Sequence, residues 1–226
     1  MGKVSVRELQ APLRARYKSA PEAAQVVDHG QTTGTDPSDP FHAIVEPMPG
    51  CGATLPVGVH RALGGPHDAP TPGDILCAAL AACQDSSVRM VANLLGIELE
   101  SVAVLVSGEV DVRGTMAIDP QVPVGFQAMR CEVRLRAKAG TDPRLLEKLR
   151  VAAEQCCVVQ QTLRKPPRVE TTFNFSGAEA RPEEKRSEAQ TRSQARWSGE
   201  KASIQIGGPR GKLDHDWQHP LRLLKC

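Results

Sequence analysis

The chain has 226 residues, enough for one ordinary domain with an appendage or for two small ones. Aromatic residues make up only 3% of it, so a core has to come from alanine, valine and leucine within the 40% apolar fraction. A net charge of +2 over this length gives no electrostatic argument for nucleic acid or a membrane surface as a partner.

Met1 to Leu13 hold no long apolar run of the signal-peptide kind. No stretch is expected to supply the roughly 18 apolar residues of a spanning helix. A cytoplasmic location is the default expectation. There are seven cysteines: Cys51, Cys77, Cys83, Cys131, Cys156, Cys157 and Cys226. An odd count without a secretion signal argues against a disulfide framework. There is no CxxC, and the histidines form no HxxxH or HExxH pattern, so no structural zinc is expected.

In chain order, residues 1–22 read as a helical segment, amphipathic over 4–18 and interrupted by Pro12. Short extended pieces follow at 23–28, 41–47 and 52–60, separated by Gly, Pro and Asp clusters. Ala62 to Pro70 reads as loop. A helix then begins with Thr71 as cap, Pro72 at the first helical position and Asp74 completing a capping box. Its first half, Ile75 to Cys83, is almost wholly apolar, and Gly96 is the natural stop. A helix apolar on most of its circumference belongs in a domain centre.

Residues 97–112 and 124–137 alternate apolar and polar, which predicts an antiparallel strand pair. Asp142-Pro143 starts a second helix, expected to run without a break to about Leu163. Arg168 to Phe175 reads as a final strand. Beyond Ser176 the mixed charge and scarcity of apolar residues predict a disordered tail over 177–226.

Cysteine often behaves as a small buried hydrophobe, and Cys51, Cys77 and Cys131 are read that way. Cys77 lies about 240° around the helix from Cys83, so the two share no face. Cys83 differs because Gln84-Asp-Ser-Ser87 follows it, placing the thiol where the helix turns polar. A reactive thiol needs a cation or hydrogen-bond donor nearby, and Arg61 is a candidate. Cys156 and Cys157 would stand about 100° apart on a continuous helix, so only one would face Cys83. Two such thiols brought together would form a redox couple.

These segments, in this order, resemble the OsmC/Ohr family of thiol-dependent hydroperoxide reductases over about residues 40–175. The resemblance is carried by Pro72…Leu76-x-Ala-Ala-Leu-Ala-Ala-Cys83, the two strands, and Ala153-Glu-x-x-Cys157-x-Val159-x-x-Thr-Leu163. The family's second helix commonly carries Cys-Pro-Val, where this chain has Cys157-Val158-Val159. It implies an α+β, OsmC-like fold over 1–176: an antiparallel-rich sheet, a buried central cysteine-bearing helix and an intertwined homodimer with two sites at the subunit boundary.

By the same resemblance Cys83 is the peroxide-reactive cysteine and Cys157 the resolving one, with no role carried over to Cys156. The implied partners are an organic hydroperoxide and a thiol or dithiol reductant, with no metal, flavin or haem. Apolar walls from Leu76, Leu80, Val88 and Met90 would favour organic hydroperoxides. In the best-understood branches a glutamate stands at the position of Gly73 and helps hold an arginine over the thiolate. Asp74 matches the acidic residue of the broader branch and also fits a helix cap. Two competing readings are a non-catalytic small-ligand binder and a structural dimer with inert thiols.

Overall fold

Thr71 stops the chain from entering the central helix unpaired. Its hydroxyl accepts from the Asp74 N–H at 3.2 Å, while the Asp74 carboxylate accepts from the Thr71 N–H at 2.8 Å and its hydroxyl at 2.7 Å. This reciprocal box, with Pro72 behind it, starts α2 (Pro72–Leu95), and Gly96 ends it at φ 71°. The computed structural model describes residues 4–34 and 36–176. The tail expected over 177–226, with Cys226, lies outside the described residues.

Among those residues, 4–167 fall in one compact unit and 168–176 in another. The first unit runs α1 (Val6–Ser19), β1 (Gln31–Thr32), β2 (Ala43–Glu46), β3 (Leu55–Val57), α2, β4 (Leu99–Val110), α3 (Val112–Thr115), β5 (Phe126–Ala137), α4 (Pro143–Cys156) and α5 (Val158–Arg164). β1, β2 and β3 form one antiparallel sheet and β4 and β5 another. The fold is α+β, as the resemblance implied.

The core is where α2 meets α4 and the β4–β5 hairpin. Val88, Val91 and Ala92 of α2 close on Leu149 and Ala153 of α4, with Ile97 just beyond the Gly96 stop. Ala92 and Ala153 are each 1% exposed; side chains this small let the two helices come close. Leu149 is equally buried, and truncating such a leucine to alanine costs about 2–5 kcal/mol. In the hairpin Val104 pairs with Val133 and Val106 with Cys131, so the inward faces are those of the alternating pattern.

Phe126 ties the hairpin to α2. A Cβ on Gly108 of β4 would overlap its ring, and a Cβ on Gly73, in the first turn of α2, would stand 3.3 Å from the ring tip. Both glycines therefore make room for one aromatic side chain. At the other end of α2, Asn93 brackets the start of α1. Its Oδ1 accepts from the Val6 N–H and its Nδ2 donates to the Val4 carbonyl, both at 2.9 Å. α1 buries no residue of its own.

Several expectations need correction. The second helix is two, because Cys157 takes extended dihedrals (φ −76°, ψ 102°) between α4 and α5. The Gln161 side chain donates to the Glu154 carbonyl at 2.8 Å and occupies one acceptor that the break releases. Residues 168–176 form no strand: a ladder needs a partner edge, and none pairs with them among the described residues. Val169, Phe173 and Phe175 stay exposed. Cys51 is exposed rather than core, in a turn between Gly50 and Gly52, both at positive φ. By length and composition α2 could cross a membrane, against the expectation that no segment would; here it packs against β4, α4 and α5.

Candidate active site

α2 presents Cys83 toward the junction of α4 and α5, and the break at Cys157 turns that residue inward to meet it. The two thiols are near neighbours, close enough that the Cys83 thiol bears on the ionisation of Cys157. Cys157 has no exposed surface, Cys83 is half-buried and Cys156 points outward. The break thus separates two adjacent cysteines more decisively than a continuous helix would. All six described cysteines are free thiols.

Burial pushes the Cys157 thiol up to about 11. The N–H of Gln160 opposes this by hydrogen-bonding the sulfur, while the Cys83 thiol beside it and the nearby Cys131 raise it further. At neutral pH Cys157 is therefore a protonated thiol, a poor nucleophile until a partner sulfur becomes electrophilic. Cys131, half-buried on β5, is also raised, mainly by burial and then by the charge of Glu154. Cys77 is raised by burial and by Asp74.

The supporting residues expected from sequence make no side-chain bond to the thiols among the described residues. Asp74 spends its carboxylate on the Thr71 cap, and those bonds hold its pKa low. Arg61 is exposed on the single turn Arg61–Leu63; its carbonyl accepts from the Gly64 N–H at 3.0 Å, and its side chain makes no hydrogen bond or ion pair among the described residues. Of the expected apolar wall, Leu80 and Val88 line a cavity, whereas Met90 is 43% exposed and Leu76 is not part of that wall.

That cavity, of about 890 Å³, lies between α2, β5 and the α4–α5 pair. Cys83 and Cys157 are not on its wall. It adjoins them through Gln84, Gln160 and Cys131. Glu154 on the same wall accepts from Arg150 at 2.9 Å and Arg164 at 3.3 Å. Gln84, Gln160 and the approach of Cys131 were missed from sequence. One signal was available for Gln84: it stands four residues from both Leu80 and Val88, on one helix face. No group of three or more His, Cys, Asp or Glu among the described residues could hold a metal ion.

The segment that carries this junction matches a known family model. The model for OsmC-like protein matches residues 65–172. Residues 65–172 belong to the OsmC-like family. The match takes in α2, the hairpin, α4 and α5, and so both thiols of the junction.

Several solved structures are similar to this chain. An OsmC-like protein from Mycoplasma pneumoniae is 11% identical, with a TM-score of 0.50 over 63% of this chain and 90% of that one. An organic hydroperoxide resistance protein OsmC from Legionella pneumophila is 24% identical over 63% and 92%, at a TM-score of 0.43. One from Elizabethkingia anophelis is 19% identical over 63% and 91%, at 0.47. Of these three the first carries the shared OsmC-like fold, and at that identity it carries the fold alone. No curated protein sequence matches the chain.

Proposed function

We propose that this OsmC-like chain reduces organic hydroperoxides with thiols, through Cys83 and Cys157. The observation that carries the reading is the close approach of a half-exposed thiol and a fully buried one on separate elements. The exposure difference supports an order for the two. Cys83 meets substrate, and Cys157 waits as a protonated thiol.

The Cys83 thiolate attacks the terminal oxygen of R–OOH. The O–O bond breaks, the sulfur becomes a sulfenic acid, and the remaining oxygen takes a proton and leaves as R–OH. Cys157 then attacks the sulfenic sulfur, releasing water and forming the Cys83–Cys157 disulfide. A dithiol reductant returns both sulfurs to thiols and is itself oxidised to a disulfide.

The active form is a homodimer in this reading. α1 has no buried residue, and its Leu9 and Leu13 are 64% and 43% exposed, so its apolar stripe calls for cover that one chain does not supply. The setting is cytoplasmic, where a reductant is at hand.

The competing small-ligand reading draws on Gly73 in place of the family's acid and on Asp74 being taken up by the Thr71 cap. Consumption of cumene hydroperoxide in the presence of a dithiol decides between them. The unmodified protein turns it over, Cys83→Ser does not, and Cys157→Ser is oxidised once and then overoxidised. Full activity of Cys83→Ser would reject the assignment.

A further inference from the structure

The break that turns Cys157 inward contains neither proline nor glycine, so side chains must hold it. Glu154 stands in the last turn of α4, just before it. In a continuous helix the Glu154 carbonyl would accept from the Val158 N–H, four residues on. Here the Gln161 side chain donates to that carbonyl at 2.8 Å. Gln161 also bonds the far side of the break, its N–H donating to the Cys157 carbonyl at 2.9 Å. One half-buried residue thus ties the peptide groups on both sides of the extended Cys157.

A second tie crosses the break at the same place. The Glu154 carboxylate accepts from Arg150 of α4 at 2.9 Å and from Arg164 of α5 at 3.3 Å. Both arginine side chains are more than half exposed, and ion pairs in water contribute little. The Gln161 bond is neutral and more enclosed, so the weight falls on it. Two arrangements compete for one carbonyl: the broken helix with the Gln161 amide on it, and the straight helix with the Val158 N–H on it.

We propose that Gln161 is a positioning residue for the resolving step: its side-chain amide holds the break and so keeps the Cys157 thiol aimed at Cys83. This deepens the reductase reading and rests on it for the step that is served. In that step the Cys157 sulfur attacks the Cys83 sulfenic acid, the S–S bond forms and water leaves. Peroxide attack at Cys83 comes earlier and does not use Cys157.

Two substitutions test this. Gln161→Met keeps the length of the side chain and removes the donor. Val158→Pro holds the break in another way. Proline lacks the N–H that would take the Glu154 carbonyl, and in a straight helix its ring clashes with that carbonyl. It also favours the extended backbone that Cys157 already has, at φ −76° and ψ 102°. Val158 is 70% exposed, so little packing is disturbed.

The readout is how the Cys83 sulfenic acid divides between disulfide and sulfinic acid as cumene hydroperoxide is raised, followed by peptide mass spectrometry. Gln161→Met should consume the first equivalent at the unmodified rate. The peroxide excess that drives half of Cys83 to sulfinic acid should fall roughly fivefold, the ratio that one hydrogen bond supplies. Adding Val158→Pro to Gln161→Met should restore the unmodified value. An unchanged division in Gln161→Met, a matching slowing of the first equivalent, or no restoration by proline overturns the proposal. Val158→Pro alone should close the disulfide at least as readily as the unmodified chain. More sulfinic acid in that variant overturns the proposal even if Gln161→Met does not fold.

Diamide keeps the two ideas apart, because it joins neighbouring thiols without peroxide and is itself reduced to the hydrazine. Slower diamide closure of Cys83–Cys157 in Gln161→Met, with no peroxide consumed by the unmodified protein, removes the reductase reading and keeps the brace. Peroxide consumption with equal closure in both proteins removes the brace alone.

Discussion

Replacing Cys157 with alanine should flatten the alkaline limb of this protein's stability. The buried thiol is raised from 9.0 to about 11, burial being the largest cause. Below pH 9 both folded and unfolded chains keep this proton, and the contribution is constant. As pH rises from 9 toward 11 the unfolded chain gives up the proton while the folded one holds it, so stability falls. Near 11 the folded thiol ionises as well and the loss is complete. Two pKa units correspond to about 2.7 kcal/mol at most, and water reaching the half-exposed Cys83 beside it reduces that to roughly 1–2 kcal/mol. Cys77 and Cys131 are raised too and contribute slopes of the same sign, but they are present in both proteins. The difference between the proteins therefore isolates Cys157. The assay is urea unfolding under reductant from about pH 7 to about pH 11. Cys157→Ala should be less stable at neutral pH through the small void it leaves, and the gap should narrow or reverse as pH rises. Two curves that stay parallel across that range would refute the desolvation argument, and with it the account of why Cys157 waits for Cys83.

Gly108→Ala should destabilise by about 1–3 kcal/mol, because its Cβ would overlap the Phe126 ring. Phe126→Leu in the same chain should recover part of the loss, and a double-mutant unfolding cycle checks this. Thr71→Ala should remove the capping box at about 1 kcal/mol in thermal unfolding. It should leave the alkylation rate of Cys83 unchanged, because the Thr71–Asp74 pair serves the helix end and not the thiols.

Local chemistry made α2 and the hairpin legible. Thr71, Pro72, Asp74 and Gly96 mark the helix ends through bonds within a few residues, and the alternation over β4 and β5 needs only a neighbouring strand. What sequence hid depended on tertiary contact. No proline or glycine announces the break at Cys157; it is held by burial against Cys83 and by the Gln161 side chain reaching back to Glu154. The polar run after Cys83 suggested an exposed border, yet Gln84 and Ser87 are 3% and 2% exposed because helical faces, not sequence blocks, decide burial. Arg168 to Phe175 alternates like a strand and has no ladder among the described residues. Gly73, read from sequence as a lost acid, has a steric reason of its own in Phe126.

The central claim is that Cys83 and Cys157 form one redox pair. Its most direct test is disulfide mapping after one molar equivalent of cumene hydroperoxide is added to the fully reduced protein. Non-reducing peptide mass spectrometry should find Cys83 joined to Cys157, appearing as fast as the peroxide disappears, with Cys156 still alkylatable. Peroxide consumed while both Cys83 and Cys157 remain free thiols, or a first disulfide through Cys51 or Cys156, would contradict the account.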